Sequence, residues 1–158
     1  MATTDRSCFF SGHRIISASL RPAIEHRIES ACETLIHNHG VTDFITGGAL
    51  GFDTLAALAV LRIRERYEDI RLQLFLPCTD QAKRWNNHDK SVWKQILESA
   101  DEYKYITDGS YLPGCMQLRN RAMADAAAHG IVYCTKKRGG TFYTLTYALD
   151  KGKHIIYL

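Results

Sequence analysis

Three short stretches combine glycine with polar residues in a pattern suited to holding an anion. They are Ser11-Gly12-His13-Arg14, Thr46-Gly47-Gly48-Ala49-Leu50-Gly51-Phe52-Asp53 and Arg138-Gly139-Gly140-Thr141. Glycine lets the backbone turn with positive φ and approach a ligand closely. Where such a turn opens a helix, unpaired N–H groups and a partial positive charge attract phosphate without a lysine. One glycine turn serves packing as readily as binding, so the weight rests on their number. Asp53 falls one turn inside the second helix, where two roles compete. It either stabilises the helix start as an acid or accepts a hydrogen bond from a ribose hydroxyl. Met116, Asn120 and Met123 share a helical face with Arg119 at its border. Arg119 is thus the better candidate for a phosphate fork, whereas Arg121 is spaced to pair with Asp125. His13 and Arg14 would add a titratable ring and a cation at the same rim. Gln81, Trp85 and Asp89 recur at four-residue spacing. A helix over 81–90 would align them, with Trp85 either a stacking platform or a core-capping indole.

Elements able to gather these residues are legible as alternating apolar runs and amphipathic stretches. Strands are predicted at Ser7–Ser11, Asp43–Thr46, Arg71–Leu76, Tyr103–Thr107, Ile131–Thr135 and His154–Leu158. Helices are predicted over Leu20–His39, Gly51–Arg66, Val92–Ala100, Met116–Ala128 and Thr141–Lys151. Ser19 is the expected N-cap of the first helix, with Pro22 in its first turn and Gly40 ending it. Strand and helix in such alternation predict an α/β fold. It is a Rossmann-like three-layer αβα sandwich, with a mostly parallel sheet of about six strands. The whole chain, 1–158, reads as a single domain. In such sheets ligands bind outside the carboxyl ends of the strands, where the glycine stretches fall.

With 46% hydrophobic and 23% charged residues the composition is that of a globular protein, and a net charge of +3 is too small for a dedicated nucleic-acid binder. Five scattered cysteines without a C-x-x-C pair predict reduced thiols. Seven histidines without metal-ligand spacing argue against a zinc site. No apolar leader region precedes the first strand, and the run Leu55–Leu61 is far too short to span a bilayer. The expectation is a cytoplasmic protein.

Several motifs together resemble the SLOG superfamily, in particular its YpsA-like branch. They are SGHR at 11–14, TGGALGFD at 46–53, LPC with Gln81, Trp85 and Asp89, PGCMQLRNRAMAD at 113–125, GGTFYTLTYA at 139–148 and the closing KGKHIIYL. The resemblance extends to the LOG phosphoribohydrolases, whose motifs are M-x-x-R-K and P-G-G-x-G-T-x-x-E. Met116 and Arg119 are similar to the first, with Asn120 replacing the lysine. Gly139-Gly140-Thr141 is similar to a shortened second, and the position of its catalytic glutamate is Thr144. Threonine carries no charge to stabilise the cation that builds on a departing ribosyl carbon. Asp53, Asp89 and Asp108 are the carboxylates that would have to substitute. The Rossmann domain of DprA, which binds single-stranded DNA, has a turn similar to TGGALGFD.

The resemblance implies a binding or sensor domain for a nucleotide or NAD-derived ligand, of ADP-ribose type for example. Its small phosphorylated ligand would lie on Gly47-Gly48 and Gly139–Thr141, clamped by Arg119 or Arg14. Two alternatives stand beside it, N-glycoside hydrolysis of nucleoside monophosphates and DprA-like strand binding. Strand binding ranks below a small ligand because the basic clusters Lys136-Lys137-Arg138 and Arg62–Arg66 are short. The resemblance also implies a homo-oligomer.

Overall fold

In the computed structural model, which describes residues 4–158, a six-stranded sheet is built from β1 (Ser7–Gly12), β2 (Asp43–Thr46), β3 (Arg71–Leu76), β4 (Glu102–Tyr105), β5 (His129–Tyr133) and β6 (His154–Tyr157). The opening three residues of the N-terminal segment read above lie outside the described residues. All strands are parallel, in the order β4-β3-β2-β1-β5-β6. Five helices connect them: α1 (Arg21–His39), α2 (Phe52–Arg64), α3 (Asn87–Ser99), α4 (Cys115–Asp125) and α5 (Gly140–Asp150). Side chains alternate across a strand, and here the alternation divides two cores. Cys8, Phe10, Phe44, Leu74 and Ile131 pack under α1, α2 and α3. Phe9, Ile45, Phe75 and Val132 pack under α4 and α5. This is the expected three-layer α/β architecture.

The differences from expectation have local causes. Ser19 does not cap α1: its Oγ lies 2.9 Å from Ser17 Oγ, and the helix opens after Leu20 without a side-chain cap. Pro22 does sit in the first turn, and Gly40 closes the helix at φ +65°. No helix runs through 81–85. The Asn86 side chain accepts the Asp89 N–H at 2.8 Å and starts α3 there. Gln81 and Trp85 therefore belong to a turn, and Asp89 to the helix after it. The expected Arg121–Asp125 pair is also absent. Both reach across to α5 instead, Arg121 donating to Tyr143 Oη at 3.2 Å and Asp125 accepting from Tyr147 Oη at 2.8 Å. Among the described residues no helix is long and apolar enough to cross a membrane.

At the amino edge of the sheet, His129 and His154 begin β5 and β6, and His39 ends α1. The Nδ1 atoms of His129 and His154 are 2.9 Å apart, and the His39 ring lies 5.0 and 5.2 Å from the two imidazoles. Burial, then the neighbouring His154 and His39, push the His129 pKa below its ordinary 6.5, while Asp5 acts the other way. A ring held neutral in the fold but free to protonate when unfolded contributes stability fully above about pH 6.5. That contribution is lost as the pH falls toward the depressed folded value. Calorimetric melting should therefore drop by several degrees between pH 7.5 and 5.5. His129→Gln should flatten the dependence, and an unchanged slope in that variant would remove the cluster as its cause.

Candidate functional site

The glycines of the three sequence stretches prove to have different neighbours. A Cβ added to Gly12 would lie 2.5 Å from Phe52 Cβ, so this glycine is where α2 docks on β1. Gly51, at φ +75°, lies under the carbonyls of His13 and Arg14. Phe52 N–H donates to His13 O at 3.0 Å. Ala49 N–H donates to Asp53 Oδ2 at 3.2 Å. The start of α2 is thus closed by its own chain. A Cβ on Gly139 or on Gly140 would meet nothing within 4 Å, and no side chain caps α5. The second glycine pair borders open space.

Arg119 and Asp53, both buried, face each other across Gly47. A Cβ there would lie 2.6 Å from Arg119 Cζ and 2.9 Å from Asp53 Oδ2. Arg119 Nη1 donates to Gly47 O and, at 3.5 Å, to Phe75 O, while its Nε donates to Asn120 Oδ1 at 2.8 Å. Gln81 Nε2 donates to the same Gly47 carbonyl at 3.2 Å. Burial pushes the Asp53 carboxyl above the ordinary carboxylate range, opposed by the Arg119 charge and the Ala49 amide. Burial likewise lowers the Arg119 pKa, with Asp53 opposing. Arg119 is a buried residue that anchors the loop after β2 through the Gly47 carbonyl.

A cleft of about 260 Å³ opens where β1 and β5 diverge, the switch in strand order. Ser11, Gly12, His13 and Arg14 line it from the end of β1, and Gly139, Gly140 and Thr141 from the start of α5. Asp53, Arg119 and Asn120 line it as well. Of the glycines singled out in the sequence, Gly47, Gly48 and Gly51 do not line it, and neither do Gln81, Trp85 and Asp89. His13 ties the two sides together, its Nε2 accepting the Thr135 N–H at 2.8 Å. That bond requires Nε2 to be unprotonated, and burial followed by the Lys136 charge lowers the His13 pKa accordingly. Thr144 is buried and donates to Gly140 O at 2.8 Å, an ordinary helix contact.

Two cations of the cleft, Lys136 and Arg138, were legible as a basic cluster but not as site residues. Their position just before Gly139-Gly140 is the signal that could have marked them. Neither forms an ion pair among the described residues. Removing one member of a buried charge pair strands the other at a cost of roughly 3–5 kcal/mol. Urea denaturation of Asp53→Ala should show a loss of that size, with Asp53→Asn milder because its amide oxygen still accepts from Ala49. A loss under about 1 kcal/mol in the alanine variant would show that the loop does not depend on the pair.

Comparison with known proteins follows the same outline. The Bacillus subtilis (strain 168) SPbeta prophage-derived protein YoqJ is 29% identical over 136 residues, covering 79% of this chain and 80% of that protein. The UPF0398 protein of Bacillus cereus (strain G9842) is 30% identical over 116 residues, covering 72% of this chain but only 63% of that protein. DprA of Streptococcus pneumoniae superposes with a TM-score of 0.69 at 20% identity, over 96% of this chain and 49% of its own. DprA of Helicobacter pylori, a single-stranded DNA binder, gives 0.68 at 17% identity, over 98% of this chain and 65% of its own. At those identities the two DprA structures establish a shared fold. The family model described as the YspA SLOG family matches residues 8–156, from β1 to β6, and the chain belongs to that family.

Proposed function

We propose that the chain works as one cytoplasmic domain that binds or senses a nucleotide or NAD-derived phosphorylated ligand in the cleft between β1 and α5. The observation that carries this reading is the open start of α5. Gly139 and Gly140 face free space at a helix N-terminus, inside a cleft that Lys136, Arg138 and Arg14 also line. Main-chain amides and the helix dipole favour an anion there, and the cations add long-range attraction. Arg14 clamps the ligand from the β1 side. Arg119 supports the site from beneath by fixing the loop after β2. The free thiols, four of them buried, suit a reducing compartment.

Binding without turnover fits the same geometry. The Asp53 carboxyl is engaged by the Ala49 amide, Thr144 by its own helix, and neither Asp89 nor Asp108 lines the cleft. A second reading, strand binding, is favoured by the cationic rim. At the far end of α2 the Arg62, Arg64 and Arg66 cluster is already paired with Glu29, Asp101 and Glu33.

A ligand at a hundred times its Kd stabilises the fold by about 2.7 kcal/mol. Thermal melting with AMP or ADP-ribose should rise by several degrees, and Arg138→Glu should abolish the rise. Unchanged melting with every phosphorylated compound at millimolar concentration would refute the proposal. Release of free base from nucleoside monophosphates, followed by chromatography, would replace binding by hydrolysis. Oligonucleotide binding whose log affinity falls with log salt at about −0.7 per phosphate contact, with no mononucleotide binding, would replace it by strand recognition.

A further inference from the structure

Beside the α5 cleft lies a second chamber of about 550 Å³, and Arg14 and Met116 line both. Arg14 Nη2 is 3.6 Å from Met116 Sδ, so the partition between them consists of two flexible side chains. The second chamber is lined by Lys83, Arg84, Trp85 and Tyr111, and by the carboxylate of Asp80, which is engaged by the Tyr111 amide. Hydrogen bonds within the chain fix its walls. Thr107 Oγ1 donates to Pro77 O at 2.6 Å, Thr79 N–H to Gly109 O at 2.9 Å and Tyr111 N–H to Asp80 Oδ1 at 2.9 Å. These bonds lash the loop after β3 to the loop after β4. Trp85 is braced edge-on by Trp93 of α3, ring centroids 6.3 Å apart and planes at 89°. Tyr111 is 56% exposed.

Resting on the function proposed above, we infer that this chamber is a second subsite, which takes the aromatic base of the ligand whose phosphate lies on α5. A half-buried indole and an exposed phenol beside cationic side chains suit a flat base attached to phosphate. Lys83 and Arg84 on one side, Arg14 at the partition, and Lys136 and Arg138 on the other spread positive charge along the path from base to phosphate. None of the five is ion-paired among the described residues. The Arg14–Met116 contact would part as the ligand enters.

Titration of the full chain with ribose 5-phosphate and with AMP separates the two subsites. The wild-type protein should prefer AMP by about tenfold or more, and AMP should quench tryptophan fluorescence. Trp85→Ala should bring that preference toward unity. Tyr111→Ala, whose side chain carries no packing in the core, should reduce it in the same direction and stands in if the tryptophan variant does not fold. Equal affinity for the two compounds in the wild type, or a preference untouched in both variants, would overturn the subsite while leaving phosphate binding intact. Failure of both compounds to bind would overturn this inference, and the proposed function falls with it where ADP-ribose also leaves the melting unchanged.

Discussion

Opposite charges are buried at the carboxyl edge of the sheet, on either side of a glycine. Arg119 from α4 and Asp53 from α2 would each incur a heavy desolvation cost alone. They are tolerated because each faces the other and because main-chain groups complete their hydrogen bonding. The Gly47 carbonyl receives Arg119, and the Ala49 amide reaches Asp53. The two cores lie on opposite faces of the sheet, and Arg119, donating to the Gly47 carbonyl, ties α4 to the loop that leads into α2. Gly47 must lack a side chain for this to happen, since a methyl group would occupy the space between guanidinium and carboxylate. The Ala49 amide on Asp53 and the Gly47 carbonyl under Arg119 hold the loop after β2 where it enters α2.

The start of α2, closed by its own chain, stands in contrast to the start of α5. Both α2 and α5 open on a glycine at positive φ and without a side-chain cap. In α2 the His13 carbonyl and the Asp53 carboxylate already supply negative partners for the exposed amides. A phosphate there would have to displace both. In α5 the two glycines look onto open space beside unpaired cations. Chemically similar sequences thus divide into a structural turn and an available one, and the division is made by what lies opposite rather than by the turn itself.

That division explains what could be read from the sequence. Strand and helix alternation depends on local periodicity, so β2 and β3 fall where expected and the layer order follows. The carboxyl-edge location of Ser11–Arg14 and Gly139–Thr141 is a consequence of the same pattern. What periodicity does not carry is the partner across space. Gly12 against Phe52, Arg119 against Gly47 and Arg121 against Tyr143 are contacts between residues tens of positions apart. The start of α3 was missed for a local reason: the Asn86 cap was hidden by an apparent four-residue repeat that runs through a turn.

Charge distribution gives the cleft a direction. The net charge of +3 is modest, yet Arg62, Arg64, Arg66 and Arg71 each hold a carboxylate. Their field is largely cancelled close to the surface. At the carboxyl edge Arg14, Lys83, Arg84, Lys136 and Arg138 hold none among the described residues. Unbalanced cations lining a recess focus the potential into it, because the low-dielectric walls keep field lines from spreading into water. These cations make the carboxyl edge, where α5 opens on Gly139 and Gly140, a region of positive potential. The buried Arg119–Asp53 pair contributes little net field there, since its charges cancel over a short distance. It is the loop geometry that the pair sets, and the exposed cations that supply the attraction.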